Sequence, residues 1–173
     1  TLVNMAKMDS GESLAFETIS VHSILDEILT SREATLRQRN LTITLEKDDK
    51  LPPIRGDVEK LSLALGSILD NAIQYTPSGG TITIKTYIEN NHVVVEIRDT
   101  GVGIHKEDLP HIFGRFWRKD EAHTTGGFGL GLPIAKQIID RHQGKIEVDS
   151  TPGVGSSFKI TLPSKPETHP NDE

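Results

Sequence analysis

TITIKTYIENNHVVVEIRD, Thr81 to Asp99, is the stretch on which the fold turns. Two runs of β-branched and aromatic residues flank Asn90 and Asn91, a residue type that tolerates the left-handed backbone a two-residue hairpin turn needs. The stretch therefore reads as two antiparallel strands and not as part of a parallel βαβ unit. The turn PSGG (Pro77–Gly80) leads into it. A second hairpin is predicted from GKIEVDS and GSSFKITLP, turning about Pro152–Gly155.

Outward from these hairpins the pattern turns helical. In SVHSILDEILTSREATLRQRN, Val21, Ile24, Leu25, Ile28, Leu29 and Leu36 form one stripe, closed by Asn40. LTITLEK alternates like a strand, with Leu41, Ile43 and Leu45 on one face. LPPIRGD breaks the chain, and Asp57 caps a helix to about Tyr75 whose buried stripe is Val58, Leu61, Leu65, Ile68, Leu69 and Ala72. HKEDLPHIF reads as a short helix and Leu130–His142 as a longer one. Helices mixed with hairpins in this order predict an α/β sandwich with a mixed or antiparallel sheet, not a doubly wound parallel one.

At 173 residues the chain has room for one main domain. Its net charge of −6 argues against a nucleic-acid surface, which needs a Lys/Arg excess. With no cysteine there is neither a disulfide framework nor a thiolate site. No transmembrane run or signal-peptide pattern is present. TLVNMAKMDSG repeats Leu2, Met5 and Met8 at helical spacing, like the last turns of a longer helix ending at Gly11. The proline-rich end, PSKPETHPNDE, is expected to be disordered.

Four constellations carry chemistry. TTGGFGLGLPIAK (Thr124–Lys136) places four glycines in six positions before a helix start, where unpaired N–H groups and the helix dipole favour an anion. It lacks the Gly-Lys-[Ser/Thr] ending of a Walker loop, and the polar RKDEAHTT before it is no dinucleotide-fold strand. In VEIRDTGVGI a strand ends at Asp99 and turns through Gly101 and Gly103, an arrangement that lets a buried carboxylate accept from a ligand edge such as an adenine amino group. DTG alone more often marks a plain strand-end turn, with Asp as an Asx-turn residue. Ser67, Asn71 and Tyr75 share one helix face, where the Asn71 amide oxygen suits magnesium. IFGRFWRKD interleaves Phe113, Phe116 and Trp117 with Arg115, Arg118 and Lys119, so that aromatics anchor the segment while guanidinium groups reach phosphate oxygens.

LGSILDNAIQYTP, RDTGVGI, IFGRFWRKD and TGGFGLGLPIAK resemble, in this order, the N box, first glycine box, F box and second glycine box of the catalytic, ATP-binding domain of sensor histidine kinases. The resemblance covers roughly Val21 to Pro163. It implies the Bergerat fold of gyrase-type and mismatch-repair ATPases, a two-layer α/β sandwich with a mixed, mostly antiparallel sheet packed against helices and a mobile ATP lid over about Lys119–Gly127. It implies ATP and Mg2+ as ligands. Asn71 matches the magnesium ligand and, with Arg118, the catalytic set. Asp99 matches the carboxylate on the adenine amino group, Gly101, Gly103 and Ile104 the turn beneath the base, and Tyr75 the aromatic near it. Arg118 matches a basic residue on the phosphates, and Gly127, Gly129, Leu130 and Gly131 the lid hinge and phosphate turn. The domain would span 12–163, between a dimerisation-helix remnant (1–11) and a tail (164–173).

Ser67, Gln74 and Gly114 depart from the family pattern, which has an Asn, a Lys or Arg, and an acidic residue there. Gln74 cannot neutralise phosphate charge, so lower affinity or slower transfer is expected unless Arg118 or Lys119 compensates. The resemblance also implies a phosphoacceptor His on a separate dimerisation domain. His22 and the six other histidines lack the acidic residue and Pro that accompany it, so the chain is expected to bind Mg-ATP without phosphorylating itself. Expected partners are that dimerisation domain and, through the full kinase, a response regulator receiver domain. The piece is expected to be monomeric and cytoplasmic, its parent a homodimer that can be membrane-anchored. Two other readings stand: a non-catalytic nucleotide-sensing module, and an anti-sigma-type Ser/Thr kinase or ATP hydrolase, against which Ser67 weighs because it is no base for activating water.

Overall fold

The computed structural model describes residues 14–114 and 131–164. The N-terminal helix remnant, the lid and Arg118, Gly127, Gly129 and Leu130 lie outside the described residues, as do Phe116, Trp117 and the tail from 165 on.

Ser20 caps the first helix, α1 (Val21–Thr30), its hydroxyl accepting from the Ser23 N–H at 3.4 Å. The single helix expected over 21–40 is two, because α2 (Glu33–Gln38) restarts after Ser31 and Arg32. The Ile28 carbonyl is taken by the Ser31 hydroxyl (2.9 Å) and by Arg32 Nη1 (3.1 Å). The Arg32 guanidinium is also drawn aside into a two-pronged pair with Asp70, at 2.6 and 3.0 Å. These side-chain bonds compete with the helix ladder and stop it.

LPPIRGD holds a short strand that alternation cannot reveal in three residues. The strand β3 (Ile54–Gly56) pairs antiparallel with β1 (Glu17–Ile19) as a small separate sheet. The main sheet has five strands, β2 (Thr42–Glu46), β4 (Thr81–Glu89), β5 (His92–Asp99), β6 (Lys145–Thr151) and β7 (Gly155–Pro163), in the order β2-β4-β5-β7-β6. Only β2 and β4 run parallel. At the edge, β2 buries less than its alternation suggests: Leu41 is covered, Ile43 half-covered, and Leu45 is 41% exposed. Asn90 and Asn91 turn the β4–β5 hairpin with φ of 51° and 63°, as I′ geometry demands.

Asp57 caps α3 (Val58–Tyr75), and the predicted stripe is buried along it, with Val58 partly so. After α3 and the first hairpin, a 3-10 turn, Leu109–His111, stands in place of the expected short helix; Pro110 lies within it. The last helix is α4 (Gly131–Arg141). Helix residues Leu65, Ile68, Leu69, Ile134, Ala135 and Ile138 and sheet residues Ile82, Ile84, Val95, Ile97, Phe158 and Ile160 form one core between two layers. It is aliphatic apart from Phe158. Burying an Ile or Leu there is worth about 1.5–3 kcal/mol relative to exposure.

Two clamps fix the helix layer. The Asp57 carboxylate accepts from Lys60 N–H (3.1 Å) and Ala15 N–H (2.9 Å), while its own N–H donates to His142 Nε2 at 3.0 Å. Since Nε2 accepts, Nδ1 carries the ring proton and donates to the Ile138 carbonyl at 2.8 Å. Phe16 stacks on this imidazole at 4.9 Å. Burial holds His142 below its ordinary 6.5. At the other end of α3, Arg39 Nη2 donates to the Gln74 and Thr76 carbonyls at 3.2 and 3.5 Å.

Candidate functional site

Where β5 ends, the backbone of α3 and of the β6–β7 hairpin closes on it. Asp99 is 5% exposed. Its Oδ1 accepts from the Gly101 N–H at 2.8 Å and from the Ser156 N–H at 3.2 Å. Both bonds fall on one oxygen, so Oδ2 keeps its acceptor capacity for another donor. Burial raises the Asp99 carboxyl above its ordinary value, and the two N–H groups counter part of that rise.

The glycines of the following loop answer to the protein's own backbone. A Cβ on Gly101 would lie 2.5 Å from the Tyr75 carbonyl oxygen, and one on Gly103, where φ is +76°, would lie 2.3 Å from that of Thr151. The Val102 N–H donates to Tyr75 O at 3.1 Å and the Val102 carbonyl accepts from Gly153 N–H at 2.8 Å. The loop is thus sewn to the end of α3 on one side and to the hairpin on the other. Ile104 is buried, and its N–H donates to Ser150 Oγ at 2.7 Å.

Asn71, one turn before Tyr75, is only 9% exposed. Among the described residues, its Oδ1 is buried and has no hydrogen-bond partner. An amide oxygen in that condition costs about 1–3 kcal/mol unless something satisfies it. A hard cation that retains waters and takes one protein oxygen beside phosphates fits that need. No group of three His, Asp or Glu residues among those described could form an all-protein metal cage. Gly131 opens α4 with its Cβ position 3.8 Å from Ser67 Cβ, which sets the start of that helix against the face carrying Ser67 and Asn71. The dipole at such a start favours anionic groups.

Tyr75, Asp99, Gly101, Gly103 and Ile104 therefore meet where the end of α3, the β5 loop and the β6–β7 hairpin close on one another, while Gly131 lies against α3 at Ser67, one turn before Asn71. From the aromatic segment, Ile112 is buried and Phe113 packs against the core. Sequence reasoning passed over Ser156, which lies opposite Asp99 in the pairing of β5 with β7, and Ser150, which the pairing of β6 with β7 places beside Ser156. In sequence both fall within the two runs of the second hairpin, GKIEVDS and GSSFKITLP, where nothing distinguishes them from ordinary strand residues.

A family model described as "Histidine kinase-, DNA gyrase B-, and HSP90-like ATPase" matches residues 56–166. The adaptive-response sensory kinase SasA of Synechocystis is 38% identical over 84% of the chain and 38% of its own length. The sensor-like histidine kinase SenX3 of Mycobacterium tuberculosis is 32% identical over 99% of the chain and 42% of its own. The chain thus spans less than half the length of these relatives. Among solved structures, a nucleotide-free catalytic domain of the histidine kinase ThkA superposes with a TM-score of 0.77 at 28% identity, covering 88% of this chain and all of that one. No helix among the described residues is long and apolar enough to cross a membrane. With its sheet, its gathered site and a match over most of its length, the chain belongs to the histidine kinase-, DNA gyrase B- and HSP90-like ATPase family, whose members bind ATP.

Proposed function

We propose that the chain is the catalytic, ATP-binding part of a two-component sensor histidine kinase: it binds Mg-ATP and presents the γ-phosphoryl to a histidine on a dimerisation domain outside this sequence. The observation that carries this is Asp99, buried and fastened through one oxygen so that the other can accept from a 6-amino group. The carboxylate orients the base. Asn71 Oδ1 would hold magnesium, which when bound neutralises charge on the phosphates. The start of α4 at Gly131 faces the same phosphates with its dipole. Arg118 is assigned to the phosphates by its place in the motif alone. The chain's own contribution is position and electrostatics, since the nucleophilic imidazole comes from elsewhere.

The test is calorimetry with Mg-ATP, followed by incubation of the chain with γ-labelled ATP and its parent's dimerisation domain. Label that is acid-labile and appears only when both parts are present is the expected result. No binding of Mg-ATP, or acid-stable label on serine or threonine, would overturn the proposal.

A further inference from the structure

Three hydrogen bonds around the Asp99 loop converge on one side chain. Ser150 on β6 stands across the ladder from Ser156. Its Oγ accepts from Ile104 N–H at 2.7 Å, donates to the Gly155 carbonyl at 3.0 Å, and lies 2.8 Å from Ser156 Oγ. A hydroxyl has one proton and two lone pairs. With its proton on Gly155, it accepts from both Ile104 and Ser156, and its capacity is filled.

Each partner touches the Asp99 region from a different side. Ile104 ends the loop that Gly101 begins. Ser156 supplies one of the two N–H groups on Asp99 Oδ1. Gly155, at φ +149°, packs so closely that a Cβ would lie 2.1 Å from the Asp99 carbonyl oxygen. Apart from Asp99 itself, Ser150 thus ties the loop after Asp99, at Ile104, to the strand that orients it, at Gly155 and Ser156, through a single hydroxyl.

We infer that Ser150 is a positioning residue that sets the selectivity of the site for a 6-aminopurine. This rests on the nucleotide reading of the site and names what keeps it selective. A buried carboxylate held still rejects a 6-oxopurine, because two acceptors then face one another with neither satisfied. Once loop and strand are uncoupled, the carboxylate can tilt and admit a bridging water, and the penalty against the oxo group fades. Discrimination is lost, while contacts to the phosphates, made at Asn71 and the start of α4, are not.

The experiment is calorimetry of Mg-ATP and Mg-ITP, the latter carrying oxygen in place of the 6-amino group, on the native chain and Ser150→Ala. We expect ATP affinity to fall about tenfold, the worth of one or two net hydrogen bonds, and ITP affinity to change less than about twofold, so that the ratio collapses. Hydrogen exchange at the Ile104 amide should accelerate in the same variant, and Ser150→Thr, which keeps the hydroxyl, should restore the ratio. An unchanged ratio in a folded Ser150→Ala chain, or equal weakening of both nucleotides, would overturn the inference and leave Ser150 a hairpin residue only. Should alanine prevent folding, Ser150→Cys fills the space with a much weaker acceptor, and the same ratio decides. A native chain that bound neither nucleotide would overturn the site reading and this inference with it.

Discussion

The Ser156 N–H donates to Asp99 Oδ1 across 57 residues of sequence, at 3.2 Å. Two strands that meet only in the folded sheet thus share the aim of one carboxylate. This contact makes Asp99 a fixed acceptor, and it also means that the folded chain carries the cost of a buried acid.

Asp99→Asn separates those two effects. Asn retains an oxygen for Gly101 and Ser156 but presents an amide to the base. We expect ATP affinity to fall about ten- to a hundredfold, as for a lost charge-assisted hydrogen bond. Burial raises this carboxyl, so the native group favours folding most when protonated, below its ordinary 3.8, and loses that contribution as pH rises through the raised value. At neutral pH the variant should therefore unfold no earlier than the native chain and gain up to about 1 kcal/mol. Thermal unfolding beside calorimetry checks both halves.

Asn71→Ala should abolish the response of nucleotide binding to magnesium. For the native chain, EDTA is expected to weaken ATP binding; for the variant, titrations with and without EDTA should coincide. Because the Asn71 oxygen is buried without a partner among the described residues, its loss should cost under about 1 kcal/mol of stability despite the cavity. A magnesium response that survives in the variant would move the metal to another ligand.

Two glycines with positive φ should behave differently. Gly79 (φ +91°) has nothing within 4 Å of the position an added methyl would take, whereas on Gly103 (φ +76°) that methyl would meet the Thr151 carbonyl at 2.3 Å. Gly79→Ala is expected to cost about 1 kcal/mol of left-handed strain. Gly103→Ala adds a backbone clash and should cost about 3 kcal/mol or more, with nucleotide binding weakened as the loop shifts. Urea unfolding of the pair gives the comparison.

His142 should give the fold an acid limit. Unfolded, its imidazole gains a proton near 6.5; folded, burial keeps it neutral to lower pH. The stability it contributes is complete above 6.5 and is lost as pH falls from there toward the depressed value. The unfolding midpoint of the native chain should drop as pH falls below the ordinary 6.5. His142→Gln, which never charges, should be less stable at neutral pH and flatter below that value.

Much of this architecture was legible because it is local. Asn90-Asn91 demanded a tight turn, Asp57 a helix start, and the stripe from Leu61 to Ala72 a buried face, each set by residues within a few positions of one another. The expectation for Asn71, Asp99 and the glycines came from the order of four motifs that resemble those of the family, each of them short and local in sequence. What escaped depends on distant partners. The break after α1 needs Asp70 to draw Arg32 aside, 38 residues away. β3 needs β1. Burial of Asn71 needs the helices packed together, and Ser150 becomes informative only when β6 lies beside β7. Gly101 and Gly103 were found for their proximity to a base, yet what excludes a side chain at each is the protein's own carbonyls.

The clamps at the two ends of α3 have a thermodynamic outcome. Asp57 secures the first turn, and the Arg39 guanidinium holds the carbonyl of Gln74 in the last turn and that of Thr76 just beyond it. A rod fixed at both ends bends little along its length, so the Asn71 amide oxygen stands in place before any ligand arrives. The ordering entropy of this helix has been spent in folding and is not charged again at each binding event.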